Sequence, residues 1–343
     1  MAIWQLFGGD TLNNYRLGVT GPRVSAIGLG CMGMSGMYGP SDRAESVATI
    51  HAALDAGVTL LDTGDFYGMG HNELLIGEAL QGGRRDQAIL SVKFGALRDP
   101  AGGWMGFDAR PAAVKTFLAY TLQRLGVDHI DIYRPARLDP NVPIEDTIGA
   151  IADMVKAGYV RHIGLSEVGA HTLRRAASVH PIVDLQIEYS LLSRGIEAAI
   201  LPACRELGIG ITAYGVLSRG LLGGRWHAAG PGDWRAHSPR FQGENAARNL
   251  ALAETLRHAA DLRGVTVAQA AIAWVLAQGH DIIPVLGARR RDQLAETLGA
   301  LAVDLAPEDL AAIEQAVPKG SAAGTRYAEA QMAHLDSERT HAG

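Results

Sequence analysis

The chain of 343 residues has little cysteine, few aromatic side chains and no long apolar run. Its two cysteines, Cys31 and Cys204, lie far apart and form no CxxC pair. We therefore expect neither a disulfide scaffold nor a zinc or other metal site, and a reducing compartment, the cytoplasm, is the expected location. No apolar run reaches the roughly 18 residues that would predict a membrane-spanning helix.

An excess of positive charge is also lacking. The formal net charge is −5 and the pI is about 6.2, which indicates neither a nucleic acid nor an anionic membrane as partner. The first residues, MAIWQLFGGD, lack a basic segment and a long apolar segment, so we expect no signal peptide. The oligomeric state leaves no signal in the sequence.

What is present is the composition of a turn-rich α/β protein. Hydrophobic residues make up 48% of the chain, enough for one large domain or two ordinary ones. The 42 glycines suit many short turns between strands and helices. Eight short apolar segments have the pattern of buried strands. They are 26–32, 58–63, 88–93, 129–134, 161–166, 181–187, 208–214 and 281–287.

Segments with helical periodicity lie between these strands, and several of them end in glycine, the usual residue after a helix. They are 46–57, 111–126, 145–158, 197–208 and 268–279. Alternating strands and helices predict a parallel sheet, and eight such units favour a closed (β/α)₈ TIM barrel. The alternative is an open doubly wound sheet. Against it, the first turn, CMGMSGMYGP, has no G-x-G-x-x-G that opens a helix directly.

Chemically active residues stand at the predicted strand ends, where barrels carry their active sites. They are Asp62, Asp65 and Tyr67 after the second strand, Lys93 after the third, Ser166 and Glu167 after the fifth, Gln186 on the sixth, Tyr214, Ser218 and Arg219 after the seventh, and Arg289, Arg290 and Arg291 after the eighth. A phenol is a weak acid at neutral pH, but a nearby ammonium lowers its pKa, and a carboxylate can hold that ammonium in place. The set of Tyr67, Lys93 and Asp62 therefore favours proton donation.

Several motifs resemble those of the aldo-keto reductase family, from about Gly28 to about Pro318. They are GLGCMGMS, DTGDFYG, SVKFG, DPNVPIEDT, KAGYVRHIGLSE, LQIEYSLLSR, AYGVLSRGLLGG and IPVLGARRRDQL. The resemblance implies one (β/α)₈ barrel domain over residues 1–343, with an N-terminal extension at 1–15 and a tail at 319–343. It also implies NADP(H) as cofactor and hydride transfer to an aldehyde or ketone, with Tyr67 as the acid beside Lys93 and Asp62.

The same resemblance implies which residues hold the cofactor. Ser166 and Gln186 match groups that bind the nicotinamide carboxamide, and Tyr214 matches the aromatic ring that stacks on the nicotinamide. The pyrophosphate loop corresponds to Leu217, Ser218 and Gly220, and the 2′-phosphate segment to Gly287, Arg289 and Gln293. The chemistry of the last segment agrees, because arginine binds phosphate bidentately and a helix is expected to begin near Asp292.

One family residue is missing. Ala136 stands where relatives carry a catalytic histidine, and Arg134 and Pro135 replace the two residues before it. An alanine methyl donates no hydrogen bond, and the loss of such a donor commonly costs ~10²–10³-fold in rate. Arg134 shares a strand face with Ala136, so its guanidinium is a candidate substitute, as is a water molecule. We further hypothesise that Arg134 pairs with Glu167, and that Arg134 and Arg137 favour a polar or anionic substrate.

Three functions are compatible with these residues. The first is an NADP(H)-dependent reductase of a small carbonyl compound. The second is a cofactor-binding regulatory protein that resembles the β subunits of potassium channels, although retention of Asp62, Tyr67 and Lys93 argues against it. The third, a metal-dependent barrel hydrolase, lacks a His/Asp ligand set at the strand ends. The segments expected to set specificity, 95–108, 226–245 and 318–343, contain no pattern that identifies the substrate.

Overall fold

The computed structural model describes residue 12, residues 14–224, residue 226 and residues 233–339. Most of the predicted N-terminal extension and parts of the predicted loop 226–245 and tail 319–343 lie outside these residues. In chain order the strands are β1 (Asn14–Arg16), β2 (Arg23–Ser25), β3 (Gly28–Gly30), β4 (Leu60–Gly64), β5 (Ile89–Phe94), β6 (Ala96–Arg98), β7 (Trp104–Phe107), β8 (Ile130–Pro135), β9 (Val160–Ser166), β10 (Ile182–Glu188), β11 (Gly210–Tyr214) and β12 (Ile282–Gly287).

Eight of these strands form a closed barrel, which confirms the predicted fold class and makes the open-sheet alternative wrong. The barrel order is β10-β11-β12-β3-β4-β5-β8-β9, and every pairing within it is parallel. Each barrel strand lies largely within one of the eight predicted segments. The strands were recognisable because both faces of a barrel strand are covered, which leaves a continuous apolar run.

Helices cover the outside of the barrel. They are α1 (Arg43–Asp55), α2 (His71–Ala79), α3 (Pro111–Leu125), α4 (Ile144–Lys156), α5 (Ala170–Ala177), α6 (Ile200–Leu207), α7 (Gly243–Asp261), α8 (Val267–Leu276), α9 (Arg291–Gly299), α10 (Pro307–Ala316) and α11 (Glu329–Met332). The five predicted helical segments correspond to α1, α3, α4, α6 and α8. The sequence pattern does not reveal the other helices, because short helices such as α5 and polar helices such as α7 bury only a few residues.

An antiparallel hairpin of β1 and β2 lies against the amino-terminal end of the barrel. Leu17 and Val24 from this hairpin region pack against apolar side chains of the barrel strands, which are Leu60, Ile132, Val183, Ile283 and Val285. This cluster fills the lower interior of the barrel. The carboxyl ends of the strands, which carry the candidate catalytic residues, lie at the opposite end.

Within the described part of the chain, no helix is both long enough and apolar enough to cross a bilayer. The longest helix, α7, has 19 residues, but its sequence GENAARNLALAETLRHAAD contains many polar and charged positions.

We predict that Ile132→Ala destabilises the protein by about 2–5 kcal/mol, because the substitution leaves a cavity in the packed interior of the barrel. Ile132 is fully buried. Denaturant unfolding followed by circular dichroism measures the effect. Leu262→Ala is the matched control, since Leu262 is 88% exposed and its truncation should cost less than about 0.5 kcal/mol. Equal losses for the two variants would contradict this account of the core.

Candidate active site

Three predicted site residues meet at the carboxyl ends of the strands. Lys93 Nζ donates to Asp62 Oδ1 at 2.5 Å and to Gln186 Oε1 at 2.8 Å. The Gln186 amide in turn donates to Asp62 Oδ2 at 2.7 Å. All three side chains are buried. Asp62 is on β4, Lys93 on β5 and Gln186 on β10, so closure of the barrel is what brings them together.

Tyr67 lies beside this cluster, in the turn that follows β4. Lys93 Nζ is 5.3 Å from the centre of the Tyr67 ring. No hydrogen bond joins the Tyr67 hydroxyl to that ammonium in the described structure. Burial raises the pKa of the Tyr67 phenol well above its ordinary value, and the charge of Asp62 raises it further. We expected Lys93 to lower the pKa of Tyr67, but the net shift is upward. The reason is that the ammonium is paired with Asp62 and the phenol is desolvated.

Burial also acts on the amine. It lowers the pKa of Lys93, the charge of Asp62 raises it, and the charge of Arg134 lowers it, with the net direction downward. Asp62 therefore holds the ammonium in a position that solvent does not stabilise. The Tyr67 phenol and the Lys93 amine are thus both shielded from water. A proton transferred at this site therefore has few other groups that could accept it.

Asp65 is a second buried carboxyl group next to Tyr67. Its Oδ2 accepts the backbone N–H of Gly95 at 3.2 Å, and its Oδ1 has no hydrogen-bond partner in the described structure. Burial raises the pKa of Asp65 from 3.8 to about 7, although the Gly95 hydrogen bond opposes the shift. The turn before Tyr67 therefore carries an acid that titrates near neutral pH.

Ala136 is buried beside the cluster, at the position where the resemblance places a histidine. The next residue, Arg137, donates to the Ala136 carbonyl at 2.6 Å and to Ser166 Oγ at 3.4 Å. The charge of Arg137 opposes the upward shift in the pKa of Tyr67, so this guanidinium is close enough to act on the phenol. Arg137 is thus the cation that adjoins Ala136 in the sequence and whose charge reaches the Tyr67 phenol.

The hypothesis that Arg134 pairs with Glu167 is wrong. Arg134 is fully buried inside the barrel, where it donates to Asp184 Oδ2 at 2.7 Å. Glu167 instead binds Arg326 from the carboxyl-terminal tail, with contacts of 2.8 and 3.0 Å. Because Arg134 is fully buried and already paired with Asp184, it offers a substrate no accessible surface, and only Arg137 remains of the two arginines proposed to favour an anionic substrate.

The tail after Pro318 lies over the strand ends. Burial would raise the pKa of Glu167, but the charge and hydrogen bonds of Arg326 hold it well below its ordinary value. Arg326 also contacts Glu188 at 3.2 Å, and the hydroxyl of the following residue, Tyr327, is 2.9 Å from that of Tyr214. An ion pair of the tail with two buried glutamates therefore fixes Tyr327 beside the residue predicted to stack on the nicotinamide.

The other predicted cofactor residues lie on two neighbouring loops. Ser218 Oγ is 3.1 Å from Ser190 Oγ. Ser218, Arg219 and Gly220 all have positive φ angles, of 47°, 57° and 104°. Leu217 precedes this turn. Gly287, the last residue of β12, is exposed, and after the strand the Gln293 amide oxygen accepts the Arg289 backbone N–H at 3.1 Å.

The three arginines after β12 have different environments. Arg290 pairs with Asp292, and Arg291 pairs with Glu45, both on exposed surface. Arg289 Nη1 donates to the carbonyls of Tyr38, Gly39 and Pro40. Burial lowers the pKa of Arg289, and the charges of Arg290 and Arg235 lower it further.

This crowding of positive charge fits an anionic ligand. The Arg289 guanidinium, whose pKa is lowered by burial and by two neighbouring cations, would be stabilised by a phosphate placed against it. Helix α9 begins immediately after Arg290, whose side chain does not cap it, and it adds the positive end of a helix dipole, although the Glu45 carboxylate already accepts the Arg291 backbone N–H at 2.9 Å. Within the described residues, no group of three or more His, Cys, Asp or Glu side chains could hold a metal ion.

Several residues of the site could not be predicted, or were not predicted, from the sequence. Arg326 and Tyr327 lie in a polar tail without periodicity, and nothing in it indicates that it returns to the barrel. Asp184 carried a signal that was overlooked, because it is an isolated acid in the apolar run PIVDLQI and stands two positions before Gln186. Residues two apart on a strand share a face, so Asp184 had to point into the barrel as Gln186 does.

Comparisons with known proteins agree with this geometry. Residues 26–318 match the model of the aldo/keto reductase family. A probable aldo-keto reductase of Glycine max is 42% identical over 316 residues, which cover 91% of each chain. An aldo-keto reductase of Schizosaccharomyces pombe whose name includes NADP(+) is 40% identical over 311 residues, 89% of this chain and 92% of the relative.

Solved structures give the same result. The glycerol dehydrogenase of Gluconobacter oxydans superposes with a TM-score of 0.80 at 27% identity, covering 98% of this chain and 99% of its own. The holo form of an aldo-keto reductase from Bacillus halodurans superposes with a TM-score of 0.73 at 27% identity, covering 89% and 96%. The family that the motifs predicted is confirmed.

We predict that Asp65→Asn stabilises the protein at pH 8 and not at pH 4. Below about pH 4 the Asp65 carboxyl is protonated in the folded and the unfolded state alike. Between about pH 4 and pH 7 the unfolded state ionises while the buried carboxyl of the folded state stays protonated, so the cost grows over this range and levels off above about pH 7, where both states are ionised. Thermal unfolding of both proteins across this range tests the sign, and a difference in Tm that does not change with pH would contradict it.

Proposed function

The chain belongs to the aldo/keto reductase family of oxidoreductases, and on that premise we propose that it reduces the carbonyl group of a small aldehyde or ketone with NADPH, with Tyr67 as the proton donor. The observation that carries the proposal is the buried contact of Lys93 with Asp62 beside the Tyr67 ring. A protein that only binds a dinucleotide has no need of this arrangement, because it takes free energy to bury an amine, a carboxylate and a phenol together.

The proposed chemistry assigns one task to each residue. NADPH supplies the hydride when it is bound. Tyr67 donates its phenolic proton to the carbonyl oxygen, and its raised pKa keeps it protonated until substrate arrives. The Lys93 ammonium stabilises negative charge that develops on the phenolic oxygen, and Asp62 holds Lys93 in place.

Residues of the two loops that follow β11 and β12, at 217–220 and 287–293, support NADP(H) as the dinucleotide. Arg289 contacts backbone carbonyls only through Nη1, so Nε and Nη2 make no protein hydrogen bond within the described residues. Together with α9, Arg289 would hold the 2′-phosphate that distinguishes NADP from NAD. On the nicotinamide side, Ser166, Gln186 and Tyr214 would hold the ring and its carboxamide, and Leu217, Ser218 and Gly220 would surround the pyrophosphate.

The alanine at position 136 sets this member apart within the proposed mechanism. A methyl group cannot orient the substrate carbonyl. Arg137 is the cation available to do so, since it is anchored on the Ala136 carbonyl and acts on the Tyr67 phenol. A guanidinium cannot accept a proton at neutral pH, so Arg137 would polarise the carbonyl without relaying a proton.

We predict that Tyr67→Phe lowers kcat at least ~10²-fold, because it removes the proton donor, while the Kd for NADPH stays within about twofold. The measurement is NADPH consumption against a panel of aldehydes and ketones, with fluorescence titration for binding. Tyr120→Phe, at an exposed position on α3, is the control. Full activity of the Tyr67 variant would remove Tyr67 from the acid role. Tight NADPH binding without turnover of any carbonyl by the wild type would contradict the reductase proposal.

We predict that Arg289→Met weakens NADPH binding about tenfold to a hundredfold and leaves NADH binding nearly unchanged, because only NADPH carries the 2′-phosphate. Fluorescence titration with each dinucleotide measures both constants. Arg291→Met is the control, since Arg291 is exposed and paired with Glu45. Equal losses for the two dinucleotides would show that Arg289 supports the loop at residues 38–40 and does not select NADP.

A further inference from the structure

A second buried ion pair lies inside the barrel, next to the pair of Lys93 and Asp62. Arg134 Nη1 donates to Asp184 Oδ2 at 2.7 Å and to Thr212 Oγ1 at 3.3 Å, and all three side chains are fully buried. Thr212 also donates to Asp184 at 2.6 Å. The second end of the guanidinium, Nη2, donates to Ser91 Oγ at 2.8 Å. Arg134 therefore joins Asp184 on β10 to Ser91 on β5.

The backbone makes room for this pair. β9 lies between β8 and β10, and Gly164 on β9 is the register partner of Asp184. A Cβ atom at Gly164 would lie 2.5 Å from Asp184 Oδ1 and 3.1 Å from Arg134 Cζ, so a glycine is required there. The pairing of β9 and β10 also shifts register between Ile182 and Asp184, which lets Val183 join the apolar cluster while Asp184 reaches Arg134.

The pair is connected to the catalytic residues through one hydroxyl group. A guanidinium can only donate hydrogen bonds, so Ser91 Oγ must be the acceptor from Arg134. The hydroxyl hydrogen of Ser91 is then directed to Asp62 Oδ2, 3.0 Å away. Asp62 receives three donors in all, from Ser91, Gln186 and Lys93. Arg134 thus fixes the direction of one of the hydrogen bonds that orient the Asp62 carboxylate.

We propose that Arg134 is a positioning residue of the catalytic site, which acts through Ser91 on Asp62 and, as a second cation beside Lys93, on the protonation of that amine. The role rests on the proposed reductase function. Arg134 touches neither substrate nor cofactor in this account. It stands in the barrel interior near the carboxyl end of β8, two residues before Ala136, so the departures from the family at 134 and 136 fall at the same end of one strand.

The charges around Lys93 come from several elements. Asp62 on β4 is its anion, and Arg134 on β8 is its register partner, one strand away. Arg137 after β8, Cys31 after β3 and Tyr67 after β4 are the other titratable or charged groups that act on it or are acted on by it. Both arginines lower the pKa of Lys93, so loss of the Arg134 charge raises it.

The kinetic test uses the full chain with NADPH and a carbonyl compound that the wild type reduces. Ser91→Ala removes the connecting hydroxyl, and Arg134→Met with Asp184→Asn removes the ion pair without leaving a lone buried charge. Each change should lower kcat about tenfold, because Ser91→Ala removes the hydrogen bond to Asp62 and loss of Arg134 leaves the direction of that bond unfixed. The triple variant should then lose no more than about tenfold, since all three substitutions break one connection.

Multiplied losses in the triple variant would overturn the action of Arg134 through Ser91, because they would show that the ion pair acts on turnover independently of Ser91. An unchanged kcat in Ser91→Ala would also overturn it, and that measurement remains decisive if the Arg134/Asp184 variant does not fold. Circular dichroism and Tm of every variant separate a local effect from loss of the fold.

A second readout does not depend on turnover. The chain contains only four lysines, Lys93, Lys115, Lys156 and Lys319, so lysine-selective ¹³C labelling gives four side-chain signals. The Lys93 signal is identified by its loss in Lys93→Met. Its titration midpoint should rise in the Arg134→Met/Asp184→Asn variant, because Arg134 is the register partner of Lys93 on the neighbouring strand, whereas the anion lost with it, Asp184, lies on β10. An unchanged midpoint would overturn the electrostatic part of the proposal, whereas an inactive wild type with a shifted midpoint would contradict only the reductase function.

Discussion

The buried contact between Lys93 and Asp62 is the interaction on which the catalytic end of this molecule depends. The two residues lie on adjacent barrel strands, and Gln186 from β10 bonds to both of them. An amine in this dry environment keeps its proton only while the carboxylate stays beside it. The closed barrel supplies that constraint, because three strands must hold their register for the three side chains to meet.

A second constraint follows from the first. The barrel interior contains two acids and two cations in close proximity, which are Asp62, Lys93, Arg134 and Asp184. Such a set is stable only when each charge has a partner and the hydrogen bonds are nearly complete. The glycine at 164 and the register shift in β10 are the backbone features that allow it. The tail adds another buried set above the strand ends, where Arg326 contacts Glu167 and Glu188.

The sequence predicted the barrel well and the partners of its charged residues poorly. All eight barrel strands were found, because apolar runs bounded by turns have a clear period and length. The neighbours Asp62 and Lys93 followed from the rule that active groups collect at strand ends. Arg134 was assigned to the wrong acid, because strand alternation gives the face of a side chain but not how far into the barrel it lies. The contacts of Arg326 and Tyr327 could not be predicted, since a tail without periodicity gives no indication of where it packs.

The most direct test of the account is a crystal structure of the full chain with NADP⁺ bound. We expect the C4 atom of the nicotinamide to lie within about 4 Å of the Tyr67 hydroxyl, where hydride and proton can reach the same carbonyl group. We also expect the 2′-phosphate at Arg289 and a substrate-sized space bordered by Ala136 and Arg137. A dinucleotide bound elsewhere, or one whose nicotinamide faces away from Tyr67, would contradict the account.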